Sequence, residues 1–338
     1  MSKNQSMGKK HQHLTFKPAF GLSHRHSQTI FSTLFRKPIA PVIRVERFTL
    51  ADGDFVECYW HQQSFLSLEN THKPIVTLFH GLEGSFASPY IQGIMNALHE
   101  AGFCPVLMHF RGCSGLMNIL PRSYHSGDTA DARQWLNTLH ARYPEHPLLA
   151  IGYSLGGNML LKLLGEDGHS SSLNAAVAVS APLKLDLCAK QMNQGFSQLY
   201  QYRLLKNLKR HLLKKYQQHD MKALIGIDEQ QVKQLTSFWA FDDVYTGPIH
   251  GFSSAQDYYQ QSSSQQYLSA ISTETLLIHA LDDPFMTPKV IPDKSQLSRQ
   301  ITFDLQATGG HLGFVSGHIF KPSYWLDERI VDFLTNRS

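Results

Sequence analysis

The chain has 338 residues, 42% of them hydrophobic and 17% charged, with a formal net charge of +4. That is a globular composition, long enough for one large domain with an insertion or for two domains. The charge excess is too mild and scattered for nucleic-acid binding, the nineteen histidines follow no metal-ligand spacing, and Cys58, Cys104, Cys113 and Cys188 form neither a C-x-x-C pair nor a disulfide framework.

Residues 1–22 are polar, lack the apolar core of a signal peptide, and are expected to be flexible. Beyond them, "VIRVERFTL" (42–50) and "FVECYW" (55–60) flank the turn sequence "ADGD" and predict a hairpin. "PIVTLFH" (74–80) and "FCPVLMHF" (103–110) are short continuous apolar runs, suited to strands buried on both faces. Between them, 88–102 has helical spacing, with Ser88 as a cap, Pro89 in the first turn and Gly102 past the end. A second helix is predicted over 126–144, opened by Asp128 or Thr129. Strand "PLLAIGY" (147–153), helix 157–165 and strand "NAAVAVSAP" (174–182) follow.

Residues 183–270 break this rhythm. They contain much helical pattern and no clear buried strand, and they are too long for a crossover. The expectation is a helical cap inserted between two parts of a core, 23–182 and 271–338. Within it, "QQSSSQQ" (260–266) is expected to be a loop. "YRLLKNLKRHLLKKY" (202–216) is cationic and amphipathic, with Leu204, Leu205, Leu208, Leu212 and Leu213 on one side. It reads either as a membrane-surface helix or as a cap helix with a solvated basic face, and the second is the expectation adopted. Strands at 275–280 and 300–306 and a closing amphipathic helix at 323–337 complete the pattern. Alternating strands and helices predict an α/β fold, a mostly parallel eight-stranded sheet with helices on both faces. No segment reaches the roughly 18 apolar residues that span a bilayer. A cytoplasmic protein without stable membrane insertion, cofactor or metal is expected.

The chemistry centres on "GYSLG", Gly152 to Gly156, between an apolar strand and a helix. A serine in so tight a turn must hold an unfavourable backbone conformation, so its neighbours two positions away must lack side chains. Its hydroxyl then leaves the sheet beside the positive end of a helix. Ser154 needs a base, and the base needs an orienting acid. Asp282 and Asp283 lie just beyond the strand 275–280, and His311 lies in a glycine-rich loop beyond the strand 300–306. The order Ser, Asp, His is the order this architecture uses. "FHGLEGS" (79–85) follows a strand and suits an oxyanion loop, which assigns the donors to the backbone N–H groups of Leu82 and Leu155. His80 is expected to shape that loop rather than move protons.

With these residues placed, the chain resembles the α/β-hydrolase superfamily, and more narrowly the YheT-type hydrolases that group with the mammalian abhydrolase-domain proteins one to three. The motifs are "HSQTIFSTLFR", "DGDF", "HGLEGS", "HFRGCSG", "GYSLGGNML", "DDPFM" and "GGHLGF", which together run through nearly the whole chain. The resemblance implies a serine hydrolase of carboxylic esters with Ser154, Asp283 and His311 as its catalytic set. In this fold the acid follows a small residue and two spacers, often before proline, and Ala280-Leu281-Asp282-Asp283-Pro284 fits with Asp283; Asp282 is then expected to be exposed on the loop. The partner implied is a small-molecule ester with a short- to medium-chain acyl group. An alcohol acyltransferase or lipase using the same residues is the alternative. A non-catalytic binder on a hydrolase scaffold is a third reading, disfavoured by the intact set of three.

Overall fold

Runs such as "IVTLF", "CPVLM" and "AAVAV" carry no polar face, so they are stable only where both sides are covered. In the computed structural model, which describes residues 15–337, they form the centre of an eight-stranded sheet. Its strands are β1 (Ile43–Thr49), β2 (Phe55–His61), β3 (Ile75–Phe79), β4 (Cys104–Met108), β5 (Leu148–Tyr153), β6 (Ala175–Val179), β7 (Glu274–Ala280) and β8 (Ile301–Gln306). The spatial order is β1-β2-β4-β3-β5-β6-β7-β8. β1 pairs antiparallel with β2 and β2 with β4, while every pair from β4 to β8 is parallel. The expected fold class and strand number are therefore observed.

The helices α1 (Arg25–Leu34), α2 (Gln62–Leu66), α3 (Pro89–Glu100), α4 (Thr129–Arg142) and α5 (Leu155–Asp167) precede β6. Trp135 of α4 and Met159, Leu160 and Leu164 of α5 pack on one face of the sheet. Ile91, Met95 and Leu98 of α3 cover the other face with Trp325, Ile330 and Phe333 of the closing helix (Trp325–Thr335). Two layers of helices thus fix the sheet, and the C-terminal ends of β3, β5, β7 and β8 open on one edge. That edge is where ligands bind in open α/β sheets.

Between β6 and β7 the chain forms α6 (Leu185–Met192), α7 (Ser197–Tyr216), α8 (Met221–Ile225), α9 (Glu229–Gln234) and α10 (Phe238–Phe241). A π-helical turn, Asp242–Thr246, leads into α11 (Gly247–Ile249) and α12 (Ala255–Ser262). Leu205, Leu212, Met221, Ile225, Val232 and Phe241 form a small core of this segment's own.

Four details differ from expectation. The first concerns the N-terminus, of which residues 1–14 lie outside the described residues. Phe16, Ala19 and Leu22 are buried, and the Phe16 ring meets those of Phe314 and Trp325 at 5.3 and 5.6 Å. Packing therefore begins before residue 23. Second, α1 is not among the expected helices, and its buried residues are Gln28 and Thr29 rather than its apolar Ile30, Phe31 and Leu34. Third, a two-stranded sheet of β9 (Val315–His318) and β10 (Lys321–Tyr324) precedes α13 (Trp325–Thr335). These strands are short, largely exposed and contain Pro322, so no pattern marks them. Fourth, 260–266 is not a loop. Ser262 ends α12, a 3₁₀ turn runs over Ser264–Ala270, and Ser262 and Ser264 are buried. Asn158 of α5 makes that possible, donating to the carbonyls of Ser126 and Ser262 and accepting from the Ser264 N–H.

Candidate active site

The turn after β5 is built by crowding. A Cβ on Gly152 would lie 2.4 Å from the Gly156 carbonyl, and one on Gly156 would lie 2.5 and 2.6 Å from the carbonyls of Phe79 and His80. Only glycine fits at either place. Ser154, caught between them, has φ 51° and ψ −116°, a conformation that costs on the order of 1–3 kcal/mol and persists only because the surroundings enforce it. α5 begins at the next residue, closer than the predicted start at 157.

The loop after β8 brings His311 to the serine. His311 Nε2 lies 3.0 Å from Ser154 Oγ, and His311 Nδ1 lies 2.8 Å from Asp283 Oδ2. Asp283 and His311 are both buried. A carboxylate only accepts, so Nδ1–H donates to Asp283 and the Nε2 lone pair faces the serine hydroxyl. The imidazole also stacks on Phe285, with 3.9 Å between centroids and 13° between planes. Its backbone N–H donates to Thr29 Oγ1 at 2.9 Å, and the Thr29 hydroxyl donates to the Arg25 carbonyl. α1 is in turn pinned to β9, because Gln28 donates to the Val315 carbonyl and accepts from the Val315 N–H.

Asp282 is not simply exposed. It is half-buried and accepts the Gly310 N–H at 2.9 Å, with its pKa raised by burial and by the charge of Asp283. Gly310 has φ +60°, and a Cβ there would meet the Arg25 carbonyl and Thr29 Oγ1 at 2.6 Å.

Leu82 and Leu155 both line the cavity that holds Ser154 and His311. In the loop after β3, Gly81 N–H donates to Tyr90 Oη, Glu83 N–H to Tyr124 Oη and Gly84 N–H to the Gly81 carbonyl. Among the described residues nothing accepts from Leu82 N–H. Leu155 is the first residue of α5, where N–H groups lack helical partners. Both amides thus lack an acceptor among the described residues.

His80 and His109 sit beneath this loop. His80 Nδ1–H donates to the Gly81 carbonyl and its Nε2 accepts from Phe110 N–H. His109 likewise bridges the Glu57 carbonyl and Phe86 N–H. Burial pushes their pKa values down to about 3 and about 4, so both stay neutral and act as fixed struts. Arg111, in the "HFRGCSG" stretch, is a second strut that pairs with Asp131, Asp52 and Asp54. The sequence reading assigned no role to Thr29, Gln28, Tyr90, Tyr124 or Phe285. Apart from Tyr90, which meets Gly81 nine residues away, they act through contacts distant in sequence, and only their place in or near the quoted motifs could have signalled them.

Above the serine lies a mostly apolar cavity, open to solvent. Leu185, Met192, Leu204, Leu208 and Phe238 line it from the segment between β6 and β7. Among the described residues no group of three His, Cys, Asp or Glu side chains is arranged to hold a metal ion.

Comparison with known proteins fits this geometry. A family model described as the alpha/beta hydrolase fold matches residues 74–317. "Putative esterase YheT" of Escherichia coli is 42% identical over 320 residues, covering 95% of this chain and 93% of that protein. "Phospholipase ABHD3" of Mus musculus is 27% identical, over 95% of this chain and 78% of that one. Among solved structures, the esterase Pf2001 of Pyrococcus furiosus superposes with a TM-score of 0.55 at 13% identity, covering 89% of this chain and 97% of its own.

Proposed function

Since the chain belongs to the α/β-hydrolase fold family and is an esterase-like carboxylic ester hydrolase, we propose that it works through an acyl-enzyme on Ser154. His311 takes the hydroxyl proton as Ser154 Oγ attacks the ester carbonyl. The carbonyl oxygen, now an anion, is held by the N–H groups of Leu82 and Leu155. The intermediate collapses, the C–O bond to the alcohol breaks, and His311 returns the proton to the leaving oxygen. Water then attacks the acyl-enzyme by the same path, releasing the acid and restoring Ser154. Asp283 holds the imidazole in the right tautomer and stabilises its charged form. The observation that carries this reading is the hydrogen-bonded chain from Asp283 through His311 to Ser154.

Residues 183–270 act in this reading as a cap on the core 23–182 and 271–338. Its leucines, methionine and phenylalanine make an apolar site for a short- to medium-chain acyl group. Four free thiols support a cytoplasmic setting, and no helix among the described residues is long and apolar enough to cross a membrane. The test is a series of p-nitrophenyl esters from acetate to palmitate. Each buried CH₂ contributes about 0.8 kcal/mol, and if that binding is realised in the transition state kcat/KM rises several-fold per two carbons from acetate to octanoate. Peptide substrates are expected to react poorly. A flat or falling series would reject the acyl site.

A further inference from the structure

α7 presents two different faces. Leu204, Leu208 and Leu212 point inward and line the catalytic cavity. The opposite face carries Arg203, Lys206, Arg210 and Lys214, all exposed. With Lys233 of α9, the last three border a shallow groove. From Phe196 to His219 there is no aspartate or glutamate at all.

Cations without a carboxylate partner occur elsewhere among the described residues, as at Arg44, Arg47 and Lys222, but α7 gathers five of them on one helix. Arg36, Arg111, Arg122, Arg133, Arg142, Arg329 and Arg337 each pair with a carboxylate. Among the described residues no carboxylate pairs with Arg203, Lys206, Lys209, Arg210 or Lys214; the one α7 side chain beside a carboxylate is His211, whose Nδ1 lies 3.1 Å from Glu83 on the cavity side. Lys209 donates to the carbonyls of Lys233 and Leu235, but among the described residues no carboxylate stands against the outer face. The same end of the molecule leaves Phe196, Leu199 and Tyr202 at 49, 57 and 65% exposure. Unpaired cations mixed with exposed apolar and aromatic side chains on one helix make a surface complementary to an anionic, partly apolar interface. A nucleic acid would satisfy the charge but would gain nothing from Leu199.

We propose that the outer face of α7 docks the protein on anionic phospholipid bilayers, with the helix lying in the interface plane. Lys and Arg reach the headgroups, while Leu199 and Tyr202 enter the boundary region. The contact is peripheral and reversible, and it needs no spanning segment. It also sets the cavity-lining side of the same helix close to the lipid surface. The docking does not depend on the catalytic reading, and the variant Ser154→Ala is expected to dock as the wild type does.

The test is co-sedimentation of the full chain with vesicles of phosphatidylcholine alone, or with about one-third phosphatidylglycerol. Binding is expected to the anionic vesicles only, falling steeply as salt is raised. Each surface cation contributes about fivefold, so Lys206→Gln/Arg210→Gln/Lys214→Gln together weaken binding on the order of a hundredfold. Leu199→Ser/Tyr202→Ser weakens it several-fold at unchanged charge. Both variants should hydrolyse a short soluble ester at the wild-type rate, which shows that they are folded. No vesicle binding, equal binding to neutral and anionic vesicles, or a triple variant that binds like wild type would overturn the proposal. So would salt-sensitive capture of an RNA oligonucleotide without capture of vesicles.

Discussion

Two adjacent aspartates divide the labour at the loop that carries His311. Asp283 accepts from His311 Nδ1, while Asp282 accepts from Gly310 N–H and so holds the loop that carries the histidine. Asp283→Asn can turn the amide's own N–H toward Nδ1 and force the wrong tautomer, which in a serine protease costs about 10⁴ in kcat. Asp282→Asn keeps an oxygen able to accept from Gly310, so its loss should stay within about tenfold, the cost of weakening one hydrogen bond. Kinetics of the two variants on one soluble ester check this, and equal losses or the reverse order would reject the assignment. Ser154 was legible in the sequence because its constraint is local: the strand, the two glycines and the helix lie within a few residues. The partner of Asp282 is 28 residues away, and that of the His311 amide is Thr29. No short window contains either pair, so exposure was the wrong expectation for Asp282.

At the level of elements, the buried face of α7 follows helical spacing, yet one member of it is a lysine. Lys215 stands three residues after Leu212 and seven after Leu208, on their side of the helix, and has no exposed surface. Its ammonium donates to the carbonyls of Asn118 and Leu120 and to Asn118 Oδ1, while Asn118 donates to Asp54. α7 is thereby fastened to the loop after β4. Counting charge along 202–216 groups Lys215 with the solvated cations, whereas counting its position places it inside. α1 shows the converse, since its buried positions hold Gln28 and Thr29 while its apolar Ile30, Phe31 and Leu34 are only partly buried or exposed. Burial lowers the Lys215 pKa from its ordinary 10.5 to about 8. Between these values the unfolded chain keeps a proton that the folded chain has lost, so raising the pH through this window favours the folded state. Lys215→Met lacks this contribution and leaves the Asn118 and Leu120 carbonyls without their donor, which costs about 1–3 kcal/mol. The stability gap between wild type and Lys215→Met, measured by urea unfolding, should widen from about pH 8 to pH 10. A gap that is constant or narrows would mean that the amine is not titrating inside the fold.

Across the whole molecule, the parallel pairing of β3 to β8 explains why residues from four distant segments meet. Leu82 follows β3, Ser154 follows β5, Asp283 follows β7 and His311 follows β8, and all four strands end on the same edge. The alternation of apolar runs and helical patterns made this sheet legible. The course of 183–270 was not, because a helical period such as that of α7 marks which face is buried but not which neighbour it packs against. The account as a whole turns on whether Ser154 is the nucleophile that His311 activates. Reaction of the purified protein with a fluorophosphonate probe, followed by mass spectrometry of its peptides, tests this directly. The prediction is one adduct on the wild type, on the peptide holding Gly152 to Gly156, and none on Ser154→Ala. An adduct on another serine, or labelling of Ser154→Ala at the wild-type rate, would contradict the account.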